Sequence, residues 1–421
     1  MEDSVQSEKV KQFPGLNKWI KIFFLFCLPV LLLITAFSFY LYSKYPNTSP
    51  FNSTGYLISA YAHPHLKMEK EVIGFIPYWR MDDIKYIRFD LISEIIYFSL
   101  SVNENGQFVK VISGETDPGW RWWKGPTVNK LITRTQVSGG KFSVSIAMHK
   151  NETLEKFLDN PDSQTTLITN LLQEVQSRHL NGINIDFEYN GSPPEGYREK
   201  FTMFSQTLAN TFEKESPETE LSIDTFPLSI RKPRLFDIPK LGQFYDKIVV
   251  MSYDFYGVSS DIAGPTAPMG GFVEERYLFD ITTAYQDYSQ AIPKEKIIMG
   301  VPYYGWDWPV ENGKTAQSPT LKGSDRNGYP SVISYGRAKD FNKLQNDQCS
   351  FEPLAQTKWC WYTDLETNAD HQVWLEDNQS IEAKFSFAKN QDLGGVAIWV
   401  LGYDKDYPDL WKMITKKFTK R

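Results

Sequence analysis

Two carboxylate side chains stand two residues apart near the middle of the chain, in the stretch NGINIDFE at residues 181–188. The rest of this stretch is mostly β-branched and aromatic, which is typical of a buried strand. Because side chains alternate faces along a strand, Asn184, Asp186 and Glu188 share one face. Unpaired buried charge is costly, so the pattern predicts that this face lines a site. An antiparallel strand with one face in water is the alternative.

Strand-like and helix-like runs alternate around this stretch. The strand-like runs cover residues 72–76, 94–98, 142–146, 183–187, 220–225, 247–252, 296–302 and 395–399. The clearest helix-like runs cover residues 163–178, 196–214 and 380–389. This alternation favours a parallel α/β architecture, and eight strands are the number that closes a (β/α)8 barrel. Active sites of such barrels lie at the C-terminal ends of the strands, where Glu188 is expected.

The same stretch resembles the signature of glycoside hydrolase family 18, the chitinase family, which reads Asp-Gly-x-Asp-x-Asp-x-Glu on the fourth barrel strand. Gly182, Asp186 and Glu188 match this signature, whereas Asn181 and Asn184 replace its first two acids. Other stretches resemble the first, sixth, seventh and eighth strands of the family, in that order: residues 72–79, 250–254, 299–305 and 394–399. The resemblance covers roughly residues 70–418 and is closest to the di-N-acetylchitobiase and spore peptidoglycan hydrolase-like branches.

The resemblance implies a retaining glycosidase that cleaves β-1,4-linked N-acetylglucosamine by substrate-assisted catalysis, an exception to the two-carboxylate scheme. Glu188 would be the general acid and then the general base, with a raised pKa. Asp186 would orient the 2-acetamido N–H, and Tyr253 would donate its hydroxyl to the acetamido oxygen. No cofactor and no metal are implied. The remaining expected substrate-binding residues are Trp399 as the floor under the reacting sugar, Asn184, Met251, Asp254, Tyr304 and Phe75.

Two departures from the family pattern lead to further expectations. Asn184 replaces a buried Asp that usually partners Asp186, so we expect Asp186 to lose a like-charged neighbour and to ionise more readily. On the third strand the family often has Ser-x-Gly-Gly, whereas this chain has Ala147 and Met148 at the two glycine positions. Their side chains are expected to narrow that part of the cleft.

Several other residues have two interpretations. Trp120, Trp122 and Trp123, in the long connection after the second strand, belong either to a site or to loop packing. His149 and His371 are interpreted as surface or packing histidines. The sequence shows no metal-ligand spacing, no phosphate-binding loop and no nucleophile elbow.

The N-terminal region contains an uncharged run at residues 22–42. At ~1.5 Å per residue this run spans ~31 Å, the thickness of a bilayer core. Lys18 and Lys21 precede it, while Tyr40 and Tyr42 fit an interfacial belt at its far end. A signal anchor is favoured, and a cleavable signal peptide is the alternative. The predicted divisions are a cytoplasmic tail at 1–21, a transmembrane anchor at 22–42, a stalk at 43–70 and an extracytoplasmic barrel at 71–421.

Length, net charge and cysteine content limit the number of domains and the possible ligands. The 421 residues suffice for one barrel with an α+β insertion at about 306–377, between strands seven and eight. A net charge of -6 gives no electrostatic footprint for nucleic acid. Cys349 and Cys360 lie close together in the insertion, as either a disulfide or two free thiols.

Three functions remain open from the sequence. The first is a membrane-anchored glycosidase acting on chitin-type oligosaccharides or polysaccharides that carry 2-acetamido sugars. The second keeps this chemistry but acts on peptidoglycan. The third is a catalytically inactive lectin, which the presence of Glu188, Asp186 and Tyr253 disfavours. Oligomeric state is not predicted.

Overall fold

The computed structural model describes residues 16–341 and 348–420. In chain order its strands are β1 (Glu71–Pro77), β2 (Glu94–Ser101), β3 (Val111–Ile112), β4 (Glu115–Thr116), β5 (Lys141–Met148), β6 (Gly182–Phe187), β7 (Glu220–Thr225), β8 (Lys247–Val250), β9 (Ile297–Pro302), β10 (Tyr304–Val310), β11 (Ser331–Ser334), β12 (Cys349–Glu352), β13 (Thr357–Thr363), β14 (Asp370–Leu375) and β15 (Gly395–Trp399).

The helices lie between the barrel strands and at the two ends of the chain. They are α1 (Leu16–Ile22), α2 (Leu28–Lys44), α3 (Pro50–Ala62), α4 (Pro118–Trp123), α5 (Pro126–Val137), α6 (Asn151–Leu158), α7 (Pro161–Arg178), α8 (Tyr197–Glu215), α9 (Ile238–Phe244), α10 (Ile281–Ala291), α11 (Tyr335–Asp340), α12 (Asn378–Asn390) and α13 (Asp409–Phe418), with a π-helical turn at Phe23–Cys27 joining α1 to α2.

Eight parallel strands close into a barrel, in the order β1-β2-β5-β6-β7-β8-β9-β15. The predicted (β/α)8 architecture is therefore confirmed. On β6 the apolar residues Ile183, Ile185 and Phe187 are buried, and Phe187 packs against phenylalanines of α6 and α8. Because side chains alternate along the strand, the polar residues of β6 are left facing the barrel interior.

A second sheet follows β9. Its five antiparallel strands run in the order β11-β10-β14-β13-β12, and they form the predicted α+β insertion between strands seven and eight. Cys349 on β12 and Cys360 on β13 are opposite each other in the ladder and are joined by a disulfide. The insertion begins at Tyr304, two residues after β9 ends, so it borders the same end of the barrel as Glu188.

The N-terminal end of the barrel is closed by buried charges. The Lys247 ammonium lies 2.7–2.8 Å from carboxylate oxygens of Glu71, Glu94 and Glu220. Lys141 pairs with Glu220 from the outer side. Burial alone would lower the pKa of Lys247, but the three carboxylates outweigh it and hold the pKa above its usual value.

One helix in the described part of the chain is long and apolar enough to span a membrane. It runs over Lys18–Lys44, through α1, the π-helical turn and α2, with a mean hydropathy of 2.6 in its most apolar window. It includes the whole predicted anchor at 22–42. Of the predicted cytoplasmic tail, residues 1–15 lie outside the described residues.

The segment predicted as a stalk contains a helix instead of an extended linker. Ser49 caps the N-terminus of α3 by accepting a hydrogen bond from the Asn52 N–H, and Pro50 occupies the first turn, both of which favour a helix start. Asn47 donates to the Arg178 carbonyl at 2.7 Å, and α3 packs along α5. This helix is therefore part of the folded domain.

Candidate active site

A cavity of about 470 Å³ opens at the C-terminal ends of the barrel strands. The predicted site residues that line it are Asp186, Glu188, Met251, Tyr253, Asp254 and Trp399. Three other predicted site residues, Asn184, Tyr304 and Phe75, are buried behind its wall. The barrel thus brings together lining residues from the ends of three strands, β6, β8 and β15, that are far apart in the chain.

The position of Glu188 follows from the end of β6. Its backbone N–H still bonds the Met148 carbonyl of the neighbouring strand, at 3.1 Å, so the residue stays in line with the barrel wall. Its side chain is 32 % exposed, whereas that of Asp186, one pleat deeper, is 2 % exposed. Glu188 is therefore the carboxylate of this pair that a ligand in the cavity meets first.

The Glu188 carboxyl has a pKa suited to proton transfer. Burial raises the pKa to about 7, the negative charge of Asp186 adds to the rise, and the neighbouring His149 opposes it. A carboxyl group with a pKa near neutrality carries its proton for a large fraction of the time at pH 7. It can therefore donate that proton and later take one back.

His149 is the first site residue that sequence reasoning missed. Its Nε2 donates to Asp186 Oδ2 at 2.7 Å and lies 3.7 Å from Glu188 Oε1. Burial favours the neutral ring, but the hydrogen bond and charge of Asp186, with that of Glu188, raise the His149 pKa to about 9. The sequence analysis interpreted His149 as a surface or packing residue; its side chain is 44 % exposed, but it also contacts both carboxylates of the site. The available signal was its place immediately after the third barrel strand.

The side chains of His149, Asp186 and Glu188 also form a group that could hold a metal ion, among residues 16–341 and 348–420. One ligand atom of each lies within 4.8 Å of the others. The imidazolium form of His149 cannot ligate a metal, so a cation at this position would have to displace the ring proton. The arrangement is thus suited first to proton exchange.

Asp224 on β7 is the second site residue that sequence reasoning missed. It lines the cavity and accepts a hydrogen bond from Asn184 Nδ2 at 2.9 Å. Burial and then the charge of Asp186 raise its pKa well above the usual value. Asn184 thus removes one carboxyl neighbour of Asp186, as expected, but the adjacent strand supplies another. The alternation of Leu221 and Ile223 with polar residues marked Asp224 as facing inward.

Aromatic rings form the floor of the cavity. The rings of Trp399 and Tyr253 are nearly parallel, at 14°, with centroids 6.3 Å apart. Phe98 meets the Trp399 ring edge-on at 4.8 Å, and Phe75 supports it from below at 5.7 Å. The flat face of a sugar packs well on such a surface, and the buried Phe75 supports it from behind, through Trp399 and Phe98.

Asp254 is fixed at the start of the connection after β8. Its backbone lies in the left-handed region, with φ of 55°. Tyr304 donates its hydroxyl to Asp254 Oδ1 at 2.7 Å, and Trp306 donates its ring N–H to the same oxygen at 2.9 Å. The insertion therefore holds Asp254 at the cavity wall, and Tyr304 serves as a support.

A second cavity, of about 640 Å³, adjoins the first across Phe98 and His149. Ala147, Met148 and the half-exposed Trp79 line it. Ala147 and Met148, expected to narrow the cleft, are buried and line this cavity, and the narrowing stays a prediction. The two cavities lie on opposite sides of the His149–Glu188 pair, as the halves of an elongated cleft would.

The far wall of the first cavity is basic. Lys232 and Arg234 line it, on the connection that follows β7. Neither side chain takes part in an ion pair among those found in residues 16–341 and 348–420. This wall therefore offers positive charge to a ligand.

The remaining candidate residues serve packing. Trp123 is buried against Tyr97 at 5.3 Å, and Trp120 stacks on Phe108 at 5.6 Å. His371 Nδ1 bonds Asp307 at 2.8 Å within the insertion. The loop-packing interpretation thus fits the tryptophans, and His371 is a packing histidine as expected.

Comparison with known proteins relates this geometry to one family. The sequence profile described as "Glycosyl hydrolases family 18" matches residues 71–404. The "Cortical fragment-lytic enzyme" of Bacillus anthracis is 28 % identical over 303 residues, which cover 70 % of this chain and 61 % of that protein. Human "Di-N-acetylchitobiase" is 24 % identical over 334 residues, covering 72 % of this chain and 84 % of that protein. The chain thus spans less than two thirds of the Bacillus relative.

Solved structures share the fold. The spore cortex-lytic enzyme SleL of Bacillus megaterium aligns with a TM-score of 0.63 and 22 % identity, covering 84 % of this chain and 76 % of SleL. The group IV chitinase of Ostrinia furnacalis, in complex with allosamidin, aligns with a TM-score of 0.69 and 18 % identity, covering 82 % of this chain and 98 % of that chain.

Proposed function

This chain belongs to glycosyl hydrolases family 18, and we propose that it hydrolyses β-1,4 bonds in glycans that contain N-acetylglucosamine, with retention and by substrate assistance. The observation that carries the proposal is the pairing of Glu188, whose pKa is raised to about 7, with the deeper Asp186 on the same strand face. Glu188 is placed to transfer a proton, and Asp186 is placed to hold the 2-acetamido group of the substrate.

The geometry favours a nucleophile from the substrate. Asp186 and Glu188 are two residues apart on one strand, ~6–7 Å between their Cα atoms. Both therefore approach a sugar in the cavity from the same side. A two-carboxylate retaining enzyme needs its nucleophile on the face opposite the acid. The carbonyl oxygen of the 2-acetamido group can take that position instead.

The buried oxygen of Asp186 supplies the second half of this mechanism. Oδ2 accepts from His149, while Oδ1 is buried and has no hydrogen-bond partner among the described residues. A buried acceptor without a partner is costly, and the acetamido N–H of a bound sugar would satisfy it. As the acetamido oxygen attacks, positive charge develops on that group, and the Asp186 carboxylate stabilises it.

Tyr253 and Trp399 complete the proposed set. Burial and then the nearby acids raise the pKa of Tyr253 well above its usual value, so its hydroxyl keeps its proton and can donate to the acetamido oxygen. Trp399 supports the reacting sugar from below. An inactive lectin would not need Glu188 poised near neutrality beside Asp186, so the enzyme is the better reading of this site.

Two substrate classes fit the cleft. Chitin-type oligosaccharides match the family and the relative named for chitobiose. Peptidoglycan strands freed of their peptides carry a lactyl carboxylate on every second sugar, and Lys232 and Arg234 provide the matching positive charge at the cavity wall. The basic wall favours this second, anionic class.

We also propose the membrane topology that the sequence predicts. The spanning helix Lys18–Lys44 would anchor the chain, with residues 1–21 at its cytoplasmic end and the barrel outside the cytoplasm. Protease added to intact cells should release a soluble fragment that contains the barrel. Recovery of a secreted protein lacking the helix would instead support a cleaved signal peptide.

A substrate panel tests the function. Purified full-length enzyme would be offered chito-oligosaccharides and peptide-free peptidoglycan strands, with product lengths read by mass spectrometry. Peptidoglycan should be preferred, and the double variant Lys232→Gln/Arg234→Gln should lose that preference while keeping activity on chito-oligosaccharides. Equal loss on both substrates would contradict the role of the basic wall.

A second substrate series tests the mechanism. Replacing the 2-acetamido group of the reacting sugar by a hydroxyl should abolish turnover, and Asp186→Ala should impair turnover of the acetamido substrate. Efficient hydrolysis of the 2-hydroxy analogue, or a sugar covalently attached to Asp186, would overturn substrate assistance.

A further inference from the structure

Helix α3 presents an apolar and uncharged face to the outside. Phe51, Ile58 and Tyr61 are 87 %, 67 % and 92 % exposed. They lie close together around the helix axis, since the first two are two turns apart and the third is one turn further on. Residues 45–66 contain no Asp, Glu, Lys or Arg. A helix on the surface of a soluble domain normally carries charged side chains on its outward face.

The opposite face of α3 is fixed to the barrel. Ser53 is buried, and the neighbouring Thr48 hydroxyl lies 3.3 Å from the Thr133 hydroxyl of α5. Beyond the helix, His65 Nε2 lies 2.9 Å from the Ile92 carbonyl. With Asn47 also bonded to the barrel, contacts on both sides of α3 hold it in one orientation.

These contacts are all made at one end of the barrel. The Arg178 carbonyl that Asn47 bonds lies just before β6, and Ile92 lies just before β2. Both mark the N-terminal ends of barrel strands. The candidate active site is at the C-terminal ends, on the other side of the molecule.

Helix α3 is also continuous with the spanning helix. Only Tyr45 to Ser49 separate α2 from α3, and the two helices pack on each other with Leu41 buried. The exposed Tyr40 and Tyr42 lie in the last turns of α2, where an interfacial aromatic belt is expected. Helix α3 therefore starts at the level where the spanning helix would leave the hydrocarbon.

We propose that the outward face of α3, formed by Phe51, Ile58 and Tyr61, lies in the headgroup layer of the lipid bilayer. The N-terminal end of the barrel then faces the membrane and the cleft opens away from it. This inference rests on the anchoring proposed above. A bilayer suits this face better than a protein partner because the face is uncharged and borders the spanning segment.

The test uses full-length protein reconstituted into phosphatidylcholine vesicles. Cys27→Ser removes the free thiol of the described residues, and the Cys349–Cys360 disulfide is kept oxidised. An environment-sensitive fluorophore is then attached at Ile58→Cys or, as a matched exposed control in the insertion, at Leu365→Cys, which is 94 % exposed in the native chain. Mass spectrometry of each preparation first establishes that the spanning helix is present.

Nitroxide lipids with the spin label near the headgroup should quench most of the fluorescence at position 58 and little at position 365. Iodide in the aqueous phase should give the reverse order. Equal iodide quenching at both positions in a protein that retains the helix would overturn the proposal while leaving the anchor intact. Efficient cross-linking of two copies through position 58 would also overturn it, in favour of a second copy on this face.

Failure of the anchor would give a different result. If the protein lacks the spanning helix, the soluble form labelled at position 58 is mixed with the same vesicles. Quenching by the nitroxide lipids would support the α3 surface alone, and its absence would overturn both the anchor and the surface.

Discussion

The two ends of the barrel both hold buried carboxylates, but they compensate the charge in different ways. At the N-terminal end, Lys247 lies among Glu71, Glu94 and Glu220 and balances them directly. At the C-terminal end, Asp186, Glu188 and Asp224 share one cavity, and the only cation in contact with them in the described structure is the half-exposed His149.

This difference appears in the pKa values. The Lys247 and Lys141 ammonium groups lower the pKa of Glu220 against the effect of burial. At the other end, burial and mutual repulsion raise the pKa values of Glu188 and Asp224. Compensated charge keeps carboxylates ionised and contributes to the fold, whereas incompletely compensated charge keeps protons available near neutral pH. The N-terminal end of the barrel thus contributes to stability, and the C-terminal end holds the groups suited to proton transfer.

The largest effect should come from removing the proposed proton donor. Glu188→Gln keeps the shape of the side chain but cannot transfer a proton, so kcat should fall by ~10²–10⁴-fold. The exposed acid Glu199 provides the matched control, and Glu199→Gln should leave kcat unchanged. Initial rates on a chito-oligosaccharide measure both. Retention of more than a tenth of the wild-type rate by Glu188→Gln would exclude Glu188 as the acid.

The next largest effect is expected at the N-terminal end of the barrel, on stability. Lys247→Met leaves three carboxylates without their buried cation, and breaking such a network costs about 3–5 kcal/mol of unfolding free energy. Urea unfolding at neutral pH measures the loss. The surface cation Lys156, which pairs with Glu152 on α6, provides the control, because Lys156→Met should barely move the midpoint. Similar midpoints for the two variants would show that the buried network is not a stabilising element.

A smaller effect should follow from removing the cation at the catalytic end. His149 lowers the pKa of Glu188, so His149→Gln should raise it. In the proposed mechanism the acid form of Glu188 is the active one, so activity should be lost as pH rises through its pKa. The alkaline limb of the kcat profile should therefore move to higher pH, while kcat falls because Asp186 loses its charged hydrogen-bond donor. The exposed His63 gives the control variant His63→Gln. A lower kcat with an unmoved alkaline limb would mean that His149 has no electrostatic influence on Glu188.

The smallest effect concerns stability at the catalytic end. The pKa of Asp224 is raised in the folded state, so between its unfolded and folded values the folded protein binds the extra proton. Stability from this group is therefore lost as pH rises through that window. Asp224→Asn removes this dependence and should stabilise the fold by on the order of 1 kcal/mol at neutral pH, with the gain shrinking toward pH 4. Urea midpoints at both pH values measure it, and a gain that grows with acidity would contradict the raised pKa.

The fold could be predicted largely from local patterns. Period-two alternation and strand–helix order are set by nearby residues, and they located all eight barrel strands with small boundary differences. Glu188 and Asp186 were found because both lie on one strand. His149 and Asp224 were missed because their importance depends on which strands become neighbours, which no local window contains. Whether Cys349 and Cys360 are bonded was left open for a different reason, because two nearby cysteines fit either a disulfide or two free thiols.

The helix in the predicted stalk was missed for a different reason. Its Pro, Asn and Ser residues are typical of linkers and led to the prediction of a stalk. The same composition includes Ser49 followed by Pro50, which is a signal for the start of a helix. The pattern of α3 also has no charged face, which is the feature that usually identifies a surface helix.

With the membrane anchor proposed above, packing α3 onto the barrel shortens the tether of the enzyme. As a free chain, residues 43–70 would reach up to ~90 Å and would let the barrel sample a large hemisphere above its attachment point. With α3 folded, only five residues remain between the spanning helix and the domain. The cleft would then move within a thin shell parallel to the membrane, at a nearly constant height of roughly one barrel's length. Substrate at that height would experience a high effective concentration of enzyme, and substrate outside the shell would experience almost none.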